Sequence, residues 1–172
     1  MYHKLILLFI SVLLPSSIFA LSTDREQQIQ IEADKATIDN VKGTATYQGN
    51  VIVTQGSIRI NAETVILNYT QKQGIEKVVA RGKPVRFKQR LDQGDDIKAS
   101  AWEMEYNAVK NMLYLKKEAE LRKEKDRKDI YTAKASRITY DTQGGIIKAD
   151  QGNTKKGRIF ITIEPPHKSS DK

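Results

Sequence analysis

The 172-residue chain contains no cysteine and only two histidines, His3 and His167. The lack of cysteine excludes disulfide bonds and thiolate metal centres. Two isolated histidines supply neither a zinc site nor a general base for a nucleophilic serine. Asp95 and Asp96 lie beside Gly94 without the oxygen-rich spacing of a calcium loop. The sequence therefore predicts no catalytic residue, no metal and no cofactor.

Long apolar runs are absent outside the first twenty residues. The stretch from Leu5 to Leu14 follows Lys4, and it is too short to span a bilayer comfortably. Pro15 breaks the run, and Ala20 is a suitable cleavage residue, which together indicate a secretory signal peptide. An uncleaved anchor is the alternative. We predict three segments: a signal peptide over residues 1–20 cleaved near Ala20, one domain over 21–164, and a disordered tail over 165–172.

The chain has an excess of basic residues, with a formal net charge of +8. This charge predicts an acidic partner such as an anionic lipid head group, an acidic polysaccharide or an acidic protein. An exported protein without disulfides suits a bacterial periplasm, and export makes nucleic acid the least expected partner.

Four segments repeat one pattern, centred on Ala33, Ala62, Ala99 and Ala133. Apolar and polar residues alternate up to the alanine, and the apolar phase then resumes three residues later. Alternation with period two is typical of a β-strand, and a shift of three keeps one face apolar only if one extra residue is inserted. Each unit is therefore predicted to be a long strand that is bent once.

Stacked units of this kind predict an all-β, solenoid-like sheet of bent antiparallel strands. A helix over Glu103 to Lys128 is the alternative for one stretch, because that stretch is rich in good helix formers. The charged run from Arg122 to Asp129 is predicted to be a solvated hairpin loop.

One apolar face should line the inside of the bend. Two apolar walls produce a dry core if they meet and a lipid-sized slot if they are held apart, and the sequence alone does not decide between these outcomes. The inner-face positions, which are the candidate ligand-binding residues, are Ile29, Ile31, Ile38, Val51, Val53, Ile60, Leu67, Phe87, Trp102, Met104, Tyr106, Leu115, Ile138 and Tyr140.

A stacked sheet has two open edges, whose unpaired backbone groups are available for pairing with another chain. The N-terminal edge is predicted around Ile29 and Ile31. The C-terminal edge is predicted in the segment that carries Ile159, Ile161 and Ile163, which ends at the prolines 165 and 166.

The stretch GNVIVTQGSIRINAE (residues 49–63), with IQIEAD before it and GKPVRF and ASAWEMEY after it, resembles the organic-solvent-tolerance/LptA-like domain family. The likeness extends from about Ile29 to Ile163. It implies a V-shaped antiparallel β-jellyroll of about sixteen strands with few or no helices. It also implies a passive, non-enzymatic periplasmic bridge that carries lipopolysaccharide from the inner to the outer membrane, with acyl chains on the inner face.

The resemblance also implies ligand contacts and partners. By motif, the family's lipid contacts fall on Ile29, Ile31, Phe87 and Tyr106. An LptC-like protein is expected at the N-terminal edge and an LptD-like protein at the C-terminal edge. Head-to-tail stacking of copies is expected as well.

Three alternatives stay open. The first is an LptC-like bridge component. The second is an enzyme that acts on anionic polysaccharide through Glu103 and Glu105. The third is a basic module that binds acidic polymers with its outer face only.

Overall fold

The computed structural model describes residues 23–70, 74–91, 93–152 and 157–165. The predicted signal peptide and most of the predicted tail lie outside these residues. The described residues contain one 3-10 helix, Thr23–Glu26. It is too short and too polar to cross a membrane. The strands are β1 (Ile29–Glu32), β2 (Lys35–Asp39), β3 (Thr44–Gln55), β4 (Ile58–Thr70), β5 (Gly74–Arg90), β6 (Asp96–Asn107), β7 (Met112–Lys125), β8 (Lys128–Asp141), β9 (Ile147–Asp150) and β10 (Phe160–Ile163).

All ten strands belong to one antiparallel sheet. Strands β3 to β8 form a meander in which each strand pairs with the next. At one edge, β1 and β2 pair with the two halves of β3. At the other edge, β10 and β9 pair with the two halves of β8. Each edge therefore consists of two short strands. The ten-stranded sheet as a whole confirms the all-β prediction.

The long strands are bent where the sequence phase slips. Register shifts occur in every pair of the meander, including those after Asn61, after Ser100 and at residues 135–137 of β8. These positions lie at or just after the predicted slips beside Ala62, Ala99 and Ala133. Each of the six long strands thus supplies two straight halves. With the four short strands, the ten continuous strands correspond to sixteen straight segments.

The bend makes the two halves of the sheet face each other. Val53, Ile97 and Leu121 lie on one side of the bend, and Val65 and Leu115 lie on the other, yet all belong to one buried cluster. A single sheet layer leaves one face open to water, and no helix among the described residues covers it. The sheet must therefore cover itself, as a two-walled sandwich does.

The stretch from Glu103 to Lys128 contains strands in place of the helical alternative. The hairpin between β7 and β8 is also tighter than the predicted eight-residue loop, because only Asp126 and Arg127 lie between the strands. Both have positive φ, 51° and 65°, as a two-residue hairpin turn requires. Residues that had been assigned to the loop are paired instead, for example Arg122 with Thr132.

A buried aspartate fastens the N-terminal segment to the sheet. Asp24 is 6% exposed, and its carboxylate accepts hydrogen bonds from the Ser57 N–H (2.6 Å), the Ser57 hydroxyl (2.7 Å) and the Gln89 amide (3.2 Å). A Cβ at Gly56 would lie 2.3 Å from Asp24 Oδ1, so this turn requires glycine. The contact holds the chain that enters β1 against the turn between β3 and β4.

Asp24→Ala should loosen this edge, because it leaves the Ser57 N–H and the Gln89 amide without this acceptor. We expect a loss of about 1–3 kcal/mol in the free energy of unfolding. We also expect amide exchange to become faster than in the wild type, and to do so more in β1 than in β7. Chemical denaturation and hydrogen-exchange mass spectrometry measure both effects. Asp39→Ala, which removes a carboxylate from an exposed turn, is the control. Equal effects from the two variants would contradict the anchoring role.

Candidate functional site

The interior of the bent sheet is the main candidate site. Most predicted inner-face residues lie there. Ile31, Ile60 and Tyr106 are partly buried and pack against the buried cluster. The buried members of the predicted set are Val51, Val53, Leu67, Phe87, Met104, Leu115, Ile138 and Tyr140.

The two walls meet at the centre of this interior. Ile97, Leu115, Leu121 and Ile138 are each less than 2% exposed. A gap wide enough for water would expose such side chains, so the walls approach each other to less than the diameter of a water molecule. Six buried alanines leave the lining thin: Ala45, Ala80, Ala99, Ala101, Ala119 and Ala133. The slot that the resemblance implied is closed at its centre in this structure.

The apolar lining continues to both edges, where it is exposed. Ile38 is 60% exposed and pairs with buried Ala45, so it lies on the inner side of the edge strand β2. At the opposite edge, Ile161 is 58% exposed and pairs with buried Ala133. Cross-strand partners share one face of a sheet. Both ends of the stack therefore present the inner apolar face to a ligand or a partner.

The prediction that Trp102 lies on the inner face is wrong. Its side chain is 43% exposed, and the Lys83 ammonium lies 5.5 Å from the ring centroid. The phase slip comes later than expected, because Ala101 is still buried and Met104 is the next buried residue. Trp102 thus falls on the unpaired part of the bend, where Lys83 contacts it through a cation–π interaction.

The alternation also missed enclosed residues. Leu121 is fully buried but was not among the predicted positions. The bend of β7 passes through Lys117 and Glu118, whose φ angles are 64° and 51°. Leu113, Leu115, Ala119 and Leu121 all have odd numbers, so the alternation keeps its phase through this bend, and only the exposed Lys117 interrupts it. Continuing the alternation across Lys117 is the signal that would have revealed Leu121.

The carboxylates of Glu103 and Glu105 belong to an ion-pair cluster. Lys116 Nζ lies 3.2 Å from Glu103 Oε1 and 3.1 Å from Glu105 Oε2, and Arg81 Nε lies 3.1 Å from Glu103 Oε2. Partial burial by itself would raise the pKa of Glu103, but the hydrogen bonds from Arg81 and Lys116 outweigh it and lower the pKa. A glycosidase acid requires a raised pKa. In the described part of the chain, no group of three His, Cys, Asp or Glu side chains is placed to hold a metal ion.

The lowered pKa of Glu103 predicts acid sensitivity. Its folded-state pKa lies below the ordinary value of 4.5, so its stabilising contribution is present above that value and is lost as the pH falls through the folded-state pKa. Glu103→Gln should lower the melting temperature near neutral pH and reduce its further fall between about pH 5 and pH 3. Thermal melts across that range measure the effect, with the exposed Glu32→Gln as control. Parallel pH profiles for wild type and Glu103→Gln would contradict it.

The chain is similar to proteins of one known family. A family model described as "LptA/(LptD N-terminal domain) LPS transport protein" matches residues 30–146. The chain belongs to this family. The LptA-like resemblance that the sequence motifs indicated is thereby confirmed.

Individual members of the LptA/LptD N-terminal domain family match almost the whole chain. The lipopolysaccharide export system protein LptA of Haemophilus influenzae is 38% identical over 165 residues, which are 95% of this chain and 92% of that protein. The corresponding LptH of Pseudomonas aeruginosa is 34% identical over 160 residues, 90% of this chain and 89% of that protein. A crystal structure of LptH, described as a periplasmic component of the lipopolysaccharide transport device, superposes with a TM-score of 0.73 at 32% identity. The match covers 84% of this chain and 100% of the LptH chain.

Proposed function

We propose that this protein is a periplasmic carrier of lipopolysaccharide and part of the bridge from the inner to the outer membrane. The observation that carries the proposal is an apolar interior that extends without interruption to two exposed apolar edges. A self-contained domain has no reason to leave its inner lining open at both ends, whereas a segment of a conduit does. Membership of a family of lipopolysaccharide transport proteins supports the same function.

The interior suits acyl chains in particular. Its lining is aliphatic and aromatic, with Phe87 and Tyr140 buried among valines, leucines and isoleucines. Each buried CH₂ of an acyl chain gains about 0.8 kcal/mol. The saccharide part of the lipid would stay in water.

Loading requires the walls to separate, because the centre is closed. We infer that acyl chains enter from an edge, where Ile38 or Ile161 already faces solvent. Each acyl chain then replaces contacts between the walls with contacts to lipid. The exchange substitutes one apolar contact for another, so it carries only a small net cost per residue.

The two edges would bind different neighbours. The β1/β2 edge is proposed to bind an LptC-like protein, and the β9/β10 edge an LptD-like protein. Copies of the chain would stack by joining the β9/β10 edge of one to the β1/β2 edge of the next. Exposed edges favour such β-augmentation, in which backbone hydrogen bonds continue from one sheet to another. Export would use residues 1–20 as a signal peptide that is cleaved near Ala20, which leaves one domain over 21–164 and a tail over 165–172.

The proposed role involves no catalysis. Glu103 and Glu105 are engaged by Lys116, and the lowered pKa of Glu103 makes it a poor general acid. Turnover of an anionic glycan that disappears in Glu103→Gln would favour the enzyme alternative.

The deciding experiment is a titration of the purified protein with lipid A and with the same saccharide after its acyl chains have been removed. We expect the acylated form to bind more tightly by at least about two orders of magnitude, since most of the binding energy comes from buried methylenes. Equal affinity for the two forms would overturn the proposal and favour a binder that uses only its outer face.

A further inference from the structure

Four cations on the outer face of the sheet lie directly opposite one another on four neighbouring strands. Arg59 of β4 pairs with Lys88 of β5. Lys88 pairs with Lys98 of β6, which pairs in turn with Arg122 of β7. We call these four residues the cation row. Phe87, next to Lys88 in the strand, is buried, so the row points away from the apolar interior. Neighbouring strands lie about 4.8 Å apart, so the row extends over about 14 Å.

The row is unfavourable for an isolated sheet, because like charges that face each other across strands are destabilising. It contains three such like-charge pairs in succession. Acidic residues beside the row compensate three of its members: Lys88 Nζ lies 3.2 Å from Asp96, Lys98 Nζ 2.6 Å from Glu124, and Arg122 Nε 3.3 Å from Glu120. Arg59 has no ion-pair partner among the described residues.

The row borders a concavity of about 380 Å³, within the range of small-ligand pockets. Arg86, which also has no ion-pair partner in the described part of the chain, adds a fifth cation to its lining. Glu120 is the one acidic lining residue, and Asn61 and Ser100 add neutral hydrogen-bonding groups. Asp96, Glu124 and Glu120 pair with three of the five cations, so Arg59 and Arg86 carry the uncompensated positive charge of this concavity.

We propose that the cation row and Arg86 form a second binding site, on the outer face, for a phosphorylated saccharide. A phosphate offers several acceptor oxygens, and arginine binds it through two parallel hydrogen bonds. The side chains of Asn61 and Ser100 suit sugar hydroxyls. Phe87 is the only aromatic lining residue, and its side chain is buried, so the site offers no exposed ring on which a nucleic-acid base would stack. This site goes beyond the proposed acyl-chain site, because it lies on the opposite face of the sheet.

The position of the row suggests how it would act. It is perpendicular to the strands, so it follows the direction from the β1/β2 edge to the β9/β10 edge. Adjacent cations would pass a phosphate from one strand to the next along this direction. Its occupant would be either the saccharide of a lipid in the interior or a separate lipid-free saccharide, since both carry the same phosphate chemistry.

Calorimetric titration tests the site. The probe is a lipid-free phosphorylated oligosaccharide prepared from lipopolysaccharide, compared with the same material after phosphatase treatment. The variant is Arg59→Gln/Arg86→Gln. The control is Lys35→Gln/Lys110→Gln, which removes two exposed cations from elsewhere and changes the net charge equally. We expect binding that depends on the phosphate groups and that weakens about tenfold or more in the arginine double variant only.

Three results would overturn the site: no binding of the phosphorylated probe, equal binding after phosphatase treatment, or an equal loss in the control variant. The last result would mean that only overall charge matters. A parallel titration with acylated lipid A separates this question from lipid carriage. If lipid A still binds the wild type while the lipid-free probe does not, the outer site is wrong and the carrier function stands. A larger loss for lipid A than for the free saccharide in the arginine variant would identify the lipid-borne saccharide as the occupant.

Discussion

Ile31→Asp is expected to lower the affinity for lipid A by about tenfold to a hundredfold. Ile31 lies in β1, pairs with buried Val53 and packs against the buried cluster. The substitution removes apolar surface worth about 1.5–3 kcal/mol when a side chain is fully buried. It also places a charge where acyl chains would enter, which is strongly disfavoured. Fluorescence or calorimetric titration of the isolated protein measures the change without involving partner proteins.

The matched control for this prediction is Gln30→Asp. Gln30 precedes Ile31 in the same strand and pairs with Thr54, so its side chain lies on the opposite face. The control introduces the same carboxylate into the same edge strand. A comparable loss of lipid binding in both variants would show that overall charge, rather than the inner lining, controls binding. Melting temperatures and an Ile31→Ala variant separate lost contacts from lost folding.

Removal of residues 158–172 is expected to abolish head-to-tail assembly and docking to an LptD-like partner. The deletion removes β10, whose four residues are all exposed and whose only described strand partner is β8. It removes the β10 partners of residues 131–134 of β8. It also eliminates the apolar surface of Phe160, Ile161 and Ile163. Light scattering at increasing protein concentration measures assembly, and a pull-down with the partner measures docking.

The control for the truncation is removal of residues 165–172 only. This shorter deletion keeps β10 and the hydrogen bond from the Glu164 N–H to the Ile130 carbonyl. It should therefore assemble like the full chain. Unchanged assembly after the longer deletion, or equal loss after both deletions, would show that β10 is not the docking strand.

Three of the bends could be predicted from the sequence because a period-two pattern changes phase when one residue is inserted. The slips beside Ala62, Ala99 and Ala133 all coincide with register shifts in the sheet. The error at Trp102 has the same origin. Ala101 is as small and apolar as Ala99, so the alternation fits two positions for the slip, and only the packing chooses between them. The bend of β7 left no phase slip to detect, because Leu115 and Leu121 have the same parity on either side of Lys117 and Glu118.

Other features depend on distances that a linear pattern does not contain. The cation row brings together residues from four strands, and its register is set by the lengths of the intervening hairpins. Taken singly, Lys88 and Arg86 are ordinary outward-facing members of an alternating strand. The closure of the interior was equally inaccessible, because wall separation depends on how residues such as Ile97 and Leu121 pack across the bend.

The most direct test of the central claim is photo-crosslinking in intact cells. A benzophenone amino acid replaces Phe87, which faces the interior, or Tyr114, which lies between the buried residues Leu113 and Leu115 and therefore faces outward. Both substitutions exchange one aromatic side chain for another. If acyl chains travel between the walls, lipopolysaccharide adducts, identified by mass, should form at position 87 and not at position 114. Adducts at position 114 only, or at neither position in a folded and functional protein, would contradict the account.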